Sequence, residues 1–357
     1  MKEKRVAIVG IQGIPAGYGG FETLVENIIG DNCSPGISYT VFCSGKGAGK
    51  TRMYKNVRLK YIPCPGNGMM SVLYDAIGLL RSCRGYDVIL VLGVSGCLFL
   101  PVFRLFCGKK IIVNIDGLEH RRDKWGRVAR WFLRVSEASA VRFSDVVVAD
   151  NKAIQDYVRQ VYGRDAELIT YGGDHVLRTV GDERETEVLN RYSLLPGRYA
   201  FSVCRIEPEN NCHLALDAFA RTGERLVFIG NWNRSEYGKK LKKEYLTADN
   251  IILSDPVYDL DTLYVLRKHA RHYIHGHSAG GTNPSLVEAM HCGCNVLAFD
   301  CGYNRLTTEN KAYYFRNAGE LASLVSGKGK GNSDLMVEIA RRRYIWRAIA
   351  KQYENLY

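Results

Sequence analysis

The chain has 357 residues, 46% hydrophobic and 24% charged, an ordinary globular composition that is long for a single core and predicts two domains. Its net charge of +12 and pI near 9.1 imply attraction to something anionic: nucleic acid, acidic lipid or a phosphorylated substrate. Eleven cysteines without CxxC pairs exclude the usual zinc sites, and free thiols in a reducing cytoplasm are the simplest account.

Strand-like runs at Arg5–Gly10, Tyr39–Cys43, Val57–Ile62, Val88–Leu92, Lys110–Ile115 and Val146–Ala149 alternate with helical patterns such as Phe21–Ile29, which predicts a parallel, doubly wound sheet. Directly after the first strand comes a glycine-rich turn, Gly10 to Gly20, followed by Phe21 and Glu22. It lacks the G-x-G-x-x-G spacing of a dinucleotide fingerprint and the GK[ST] of a Walker loop, which argues against an NAD-dependent oxidoreductase. Such a loop brings backbone close to a phosphate, or is simply a flexible turn. The longest apolar run, around Val88 to Phe106, is broken by Gly93, Ser95, Gly96, Pro101 and Arg104, so it predicts a strand, a turn and a buried helix rather than a membrane span. No segment has the pattern of a signal peptide.

Much of the excess charge lies in Arg121, Arg122, Lys124, Arg127, Arg130, Arg134 and Arg142, interleaved with Trp125, Trp131, Phe132, Leu133 and Phe143. A basic amphipathic helix over Trp125–Phe143 either contacts a membrane surface or presents a solvated face over a packed stripe. A polar segment from Gly172 to Gly197 then reads as the domain link. Strands resume at Tyr199–Cys204, Leu226–Ile229, Ile251–Leu253, Tyr273–His275 and Val296–Phe299, making a second domain of the same kind. Two such domains would face one another across a cleft, with ligands at the carboxyl ends of the strands.

Within the second half, Ser278 to Met290 joins a glycine turn, a helix start and a carboxylate. Asn283 suits the N-cap and Pro284 the first helical position, so free amides and the positive helix end would face a phosphate approaching Gly280 and Gly281. The competing reading makes Ser285 and Glu288 a capping box. His291, beside Cys292 and Cys294, reads as a helix-surface residue.

Together, Gly17-Tyr18-Gly19-Gly20-Phe21-Glu22 and Gly280 to Met290 resemble the retaining GT-B glycosyltransferases of family four. More narrowly, Val6–Glu22, Asn114-Ile115-Asp116-Gly117-Leu118-Glu119 and Ser278–Met290 resemble the bacterial rhamnosyltransferase-like branch that builds surface polysaccharides, nearly end to end. The resemblance implies an α/β chain of GT-B fold: an acceptor-side Rossmann-like domain over 1–172, a nucleotide-sugar domain over 173–335, and a C-terminal helix over 336–357 that crosses back onto the first domain. Tyr344, Trp346, Ile349 and Tyr353 match that tail.

It also implies roles. Glu288 would bind the nucleotide ribose. Gly19, Gly20, Gly281, Thr282, Asn283, Pro284, Ser285 and Leu286 would line the donor, and Arg205 would neutralise its diphosphate. The family's lysine after that arginine is Asn210 here, and the first of its paired glutamates falls on Gly280, leaving His275, His277 and Gly280 as the donor-sugar contacts. Asp116 and Glu119 would orient or deprotonate the acceptor hydroxyl, with Glu22 a further candidate. The leaving group would be stabilised by Arg205 and helix amides, with no metal and no cofactor beyond a dTDP- or UDP-linked donor. The expectation is a cytoplasmic hexosyltransferase at the inner face of the plasma membrane. It would move rhamnose, with retention, from dTDP-rhamnose to a lipid-linked oligosaccharide. Arg121, Arg122, Lys124, Trp125, Arg127, Arg130, Trp131 and Arg134 would form its membrane patch. A GT-B nucleotide-sugar epimerase and, less well fitted to two glycine loops, a non-enzymatic nucleic-acid-binding protein remain as alternatives.

Overall fold

The computed structural model describes residues 3–17, 19–30, 34–45, 51–68, 70–122, 125–327 and 331–357. The chain divides into two compact units, one formed by Met1–Tyr171 with Trp346–Tyr357 and the other by Gly172–Ile345.

In the first unit, β1 (Lys4–Val9), β2 (Ile37–Ser44), β3 (Met53–Tyr54), β4 (Val57–Ile62), β5 (Val88–Leu92), β6 (Lys110–Asn114), β7 (Val146–Ala149) and β8 (Glu167–Leu168) form one sheet in the order β3-β4-β2-β1-β5-β6-β7-β8. Every pairing is parallel except β3 with β4. β5 is Val-Ile-Leu-Val-Leu and buried throughout, as expected for a strand covered on both faces. The two-residue strands β3 and β8 are too short to leave a periodic signal in the sequence.

The second unit repeats the plan with β9 (Ala200–Val203), β10 (Leu226–Ile229), β11 (Ile251–Ser254), β12 (His272–His275), β13 (Val296–Phe299) and β14 (Tyr313–Phe315), all parallel, in the order β11-β10-β9-β12-β13-β14. Each sheet changes winding direction once, between β1 and β5 and between β9 and β12.

Several expectations need correction. The polar segment Gly172–Gly197 is part of the second unit, not a loose link. It holds a 3₁₀ turn at Asp174–Val176 and a helix at Asp182–Arg191, and that helix is fixed through Glu185, which accepts from Lys268 at 2.5 Å and pairs with His269 at 2.6 Å. Its polarity is that of a surface helix with Val188 and Leu189 turned inward. The helix after β5, Leu100–Arg104, is only partly buried: Val102 is exposed, as are Leu105 and Phe106 that follow it. The helix expected over Trp125–Phe143 begins at Arg127. His291 is buried, and its Nε2 lies 2.8 Å from the Tyr344 carbonyl. Among the described residues no helix is long and apolar enough to cross a membrane.

The tail is two helices rather than one. Ser333–Arg343 packs in the second unit against Pro284–His291, and Trp346–Asn355 packs in the first unit against Gly20–Ile28. Trp346 meets Tyr171 edge-on at 6.5 Å, and Ile349, Ala350 and Tyr353 join the first unit's core. The Tyr353 hydroxyl accepts from the buried Asn114 amide at 2.8 Å, and the Tyr357 carbonyl accepts from Lys4 Nζ at 2.6 Å. These contacts bind the last twelve residues into a sheet made by the first hundred and seventy. Trp346→Ala should destabilise the first unit by about 3–5 kcal/mol through the cavity it leaves, and Tyr353→Phe by about 1–3 kcal/mol through the unpartnered Asn114 amide. Urea unfolding of both variants measures this; wild-type midpoints would mean the tail is not part of that core.

Candidate functional site

In the second unit, the loops that leave β9 and β12 meet at the strand ends where the winding direction changes, the place where open α/β sheets bind ligands. They are locked together by backbone. A Cβ on Gly276 would come within 2.2 Å of the Asn210 carbonyl, so only glycine permits the approach. Asn211 Nδ2 donates to the Gly276 carbonyl at 2.9 Å, and both the amide and the hydroxyl of Ser278 donate to the Glu209 carbonyl, at 2.9 and 2.8 Å. Asn210, where the resemblance expects a lysine, is buried, and its Nδ2 donates to the Arg205 carbonyl at 2.7 Å. The Arg205 backbone is therefore fixed while its side chain is exposed.

Beyond the loop, Asn283 sits at the N-cap in extended conformation and Pro284 begins the helix Pro284–His291, as the sequence predicts, although the Asn283 side chain makes no capping bond. The capping-box reading fails, because Ser285 lies inside the helix and Glu288 turns elsewhere. Its Oε2 accepts from Nη2 of Arg267, a side chain only 2% exposed, and its Oε1 lies 3.6 Å from His175 Nε2. Leu286 is a correction: its side chain is wholly buried in the core and its amide donates to the Asn283 carbonyl at 3.1 Å, so it offers a phosphate nothing. Thr282 is buried, and Gly281 with it. Gly280 has φ +121°, which L side chains rarely adopt, so a glutamate at this position would strain the loop as built.

His275 is also corrected as a sugar contact. It is 1% exposed and stacked between Tyr273, at 6.1 Å, and His277, at 4.3 Å, with neither ring nitrogen hydrogen-bonded among the described residues. Burial pushes its pKa down to about 3. His277, at the rim, anchors the loop through its carbonyl, which accepts from Asn304 Nδ2 at 2.8 Å.

In the first unit, the glycine-rich loop after β1 likewise leaves the sheet at its change of direction. Tyr18 lies outside the described residues. Gly10 has φ +97°, and a Cβ there would strike the Leu92 carbonyl at 2.2 Å. The loop is not a flexible turn. Glu22 accepts from the Gln12 amide at 2.9 Å, Glu26 from the Ala16 amide at 2.7 Å, and Tyr74 donates to the Ile11 carbonyl at 2.6 Å. A Cβ on Gly19 would lie 2.1 Å from Glu22 Oε2, and Gly20 is the first helical residue. Two of the loop's amides are thus already given to carboxylates, which makes it a poor cradle for phosphate and a better neighbour for neutral hydroxyls. Burial raises the Glu22 pKa, and Asp116 adds to the rise.

Asp116 follows β6 with φ +60°, held by a bond from its amide to Asn114 Oδ1 at 3.0 Å. Glu119 is committed to its own turn: Oε1 lies 2.8 Å from Arg122 Nε and Oε2 accepts from Trp125 Nε1 at 3.1 Å. Beside it stands a pair that sequence reasoning missed. Glu137 is buried in the helix Arg127–Phe143, accepts from the hydroxyls of Tyr157 and Tyr162 at 2.8 and 2.7 Å, and pairs with His120 Nδ1 at 3.1 Å. Burial opposes its charge, yet His120 and the two tyrosines keep its pKa below the ordinary value. The signal was one acid on the inward face of an otherwise basic helix.

The basic patch is split. Arg122 is buried against Glu119, Trp125 is tied to the same carboxylate, and the Arg121 guanidinium stacks over Tyr157 at 4.9 Å. Lys124 lies outside the described residues. Arg127, Trp131 and Arg134 are exposed together on one helix, with Arg130 half-buried. That helix packs against the one carrying the exposed Val102, with Leu105 and Phe106 at its end.

For His275, whose folded pKa of about 3 lies below the unfolded value near 6.5, the neutral ring contributes stability above pH 6.5 that is lost as pH falls toward 3. The melting temperature should drop between pH 7 and pH 4, and His275→Phe should flatten the drop. An equal slope in the variant would mean that some other group controls it.

Residues 3–174 match the family described as "Domain of unknown function (DUF1972)", and residues 193–319 match "Glycosyl transferases group 1". No curated protein matches the chain. Among solved structures, sucrose-phosphate synthase from Thermosynechococcus elongatus is similar with TM-score 0.80 at 16% identity, covering 99% of this chain and 98% of that one. HepE of Anabaena in complex with UDP and glucose follows at TM-score 0.75 and 16% identity, with the same coverage. The catalytic domain of starch synthase IV from Arabidopsis thaliana, bound to ADP and acarbose, gives TM-score 0.71 at 13% identity, covering 100% and 99%. The sequence of the second unit is similar to the group 1 glycosyl transferases, and the chain has the GT-B fold of the solved structures it resembles.

Proposed function

We propose that the chain transfers a hexose, rhamnose from dTDP-rhamnose, to a lipid-linked oligosaccharide with retention of configuration. The observation that carries the donor half is the second unit's switch point. There an exposed Arg205 on a fixed backbone, a glycine turn and the start of the helix Pro284–His291 precede Glu288 by one turn. A nucleotide diphosphate leaves with growing negative charge, which a guanidinium and helix-start amides stabilise without a metal. HepE, in its complexes with UDP and UDP-glucose, supports a nucleotide-sugar donor for this site.

Rhamnose is supported by the glycine at 280. A 6-deoxy sugar offers one hydroxyl fewer, and Gly280 presents no side chain to bond one. For the acceptor half, the first unit supplies carboxylates rather than free amides at its own switch point, with Asp116 placed directly after β6. Asp116 is the group proposed to orient the acceptor hydroxyl. Glu119 serves its turn instead, and Glu22 holds the glycine loop.

Peripheral attachment to an anionic membrane is supported by Arg127, Arg134 and Trp131 beside the exposed Val102, Leu105 and Phe106. Cationic and apolar groups on adjoining helices suit a headgroup boundary. Leu105→Glu combined with Trp131→Glu should abolish co-sedimentation with phosphatidylglycerol vesicles at unchanged solution stability. Equal sedimentation of the variant and the wild type would remove this surface.

The activity is tested by incubating the protein with dTDP-rhamnose or UDP-glucose and membrane-extracted acceptor. Release of dTDP with labelled lipid product is expected, and no turnover with any nucleotide sugar would sink the reading. Arg205→Ala should weaken nucleotide diphosphate binding by about tenfold or more, whereas Asp116→Asn should cut turnover by about a hundredfold at little changed nucleotide affinity. The ratio of these two effects separates donor binding from acceptor chemistry.

A further inference from the structure

The loop after β9 carries two opposite charges that the fold leaves unpaired. Arg205 is exposed, and among the described residues no carboxylate pairs with its guanidinium. Glu209, in the same loop, is only 9% exposed, yet its Oε2 is buried without a hydrogen-bond partner among those residues, and no cation there pairs with the carboxylate. The two could have neutralised one another, but the backbone holds them apart. Asn210 Nδ2 donates to the Arg205 carbonyl, Pro208–Asn210 forms a 3₁₀ turn, and the Glu209 carbonyl accepts both donors of Ser278. A buried carboxylate oxygen without a donor is unfavourable, and a ligand hydroxyl relieves it.

A ligand suited to this loop carries an anion for Arg205 and hydroxyls for Glu209. A nucleotide sugar has both, whereas a bare phosphate would meet repulsion from the carboxylate. Such a donor holds a sugar on each side of its diphosphate, and the second unit holds a carboxylate on each side of its helix start. Glu209 is tied to Ser278, before the glycine turn, and Glu288 lies one turn into the helix Pro284–His291. With the diphosphate at the helix start and the nucleoside at Glu288, the hexose falls to Glu209. We propose that Glu209 binds a hydroxyl of the transferred hexose, supplying from the β9 loop the carboxylate that Gly280 does not supply from the β12 loop. The proposal rests on the nucleotide-sugar reading of the second unit and names a residue that sets its preference for the sugar over the free nucleotide.

Calorimetric titration of the wild type, Glu209→Gln and Glu209→Ala with dTDP, dTDP-rhamnose, UDP and UDP-glucose tests the proposal. Glu209→Gln exchanges a charged acceptor for a neutral one of the same shape, so affinity for the nucleotide sugar should fall about fivefold. Glu209→Ala removes the acceptor and should lower that affinity about tenfold or more. The free nucleotides have no hexose, and loss of a nearby negative charge should leave their affinity unchanged or somewhat higher. Selectivity for a nucleotide sugar over its own nucleotide therefore falls in both variants. Unchanged selectivity would overturn the proposal, including the case in which both ligands weaken alike because Glu209 serves the nucleoside, the diphosphate or the fold. The ligand-free Glu209→Gln protein should melt at or above the wild-type temperature, since no partner in the chain is lost; a lower melting temperature would reveal such a partner and also overturn it. A wild type that binds none of the four ligands would sink the nucleotide-sugar reading itself. One that binds them, with variants of unchanged selectivity, removes only the role of Glu209.

Discussion

A parallel sheet wound in two directions from one starting strand leaves a gap in its helical cover where the direction reverses. The backbone at those strand ends has no neighbouring crossover to pack against. Both sheets here have one such point, between β1 and β5 and between β9 and β12. The glycine-rich segments after β1 and β12 begin there, where Gly10 and Gly276 let backbone atoms approach too closely for any Cβ. The chemistry of the protein follows from what each unit puts into its gap.

The two gaps are filled with opposite polarity. In the second unit the loop is held by carbonyls, those of Glu209, Gly276 and Arg205, which accept from side-chain amides, a hydroxyl and a backbone amide. That arrangement consumes acceptors and leaves an exposed arginine and a helix start toward solvent. In the first unit the loop is held by amides, which donate to Glu22 and Glu26. That arrangement consumes donors and gathers carboxylates, with Asp116 adding to the rise in the Glu22 pKa. Anions are favoured at one gap and disfavoured at the other. A group that donates protons, such as a sugar hydroxyl, suits the acidic one. The difference between the two gaps is therefore written in which backbone group each loop surrenders to its own anchors.

The sheets were legible because continuous apolar runs such as Val88–Leu92 leave no other reading once glycine turns bound them. Pro284 and Asn283 marked a helix start in the same way, since proline's missing N–H fits only the first turn. Side-chain commitments were not legible. Glu119, Glu137 and Glu288 look alike in sequence, yet one binds a turn, one is buried under two tyrosines and a histidine, and one neutralises an arginine. Each partner lies on a different element or beyond a turn, and nothing local announces it. Arg267 and His175 were missed for that reason, lying 21 and 113 residues from Glu288. The basic patch was legible only in part: Arg122 counts as charge in the composition but is spent on Glu119.

The two departures from the resembled pattern, Asn210 for a lysine and Gly280 for a glutamate, belong together. Removing one positive and one negative side chain from neighbouring loops leaves the net charge around Arg205 unchanged. What changes is how the loops are held. Asn210 is buried and fixes the Arg205 backbone by a hydrogen bond, which a lysine, with no oxygen or amide geometry to offer and a charge to desolvate, would do only at a cost. Gly280 takes a left-handed turn that a glutamate would strain. A pair of charged side chains is replaced by a pair of backbone restraints.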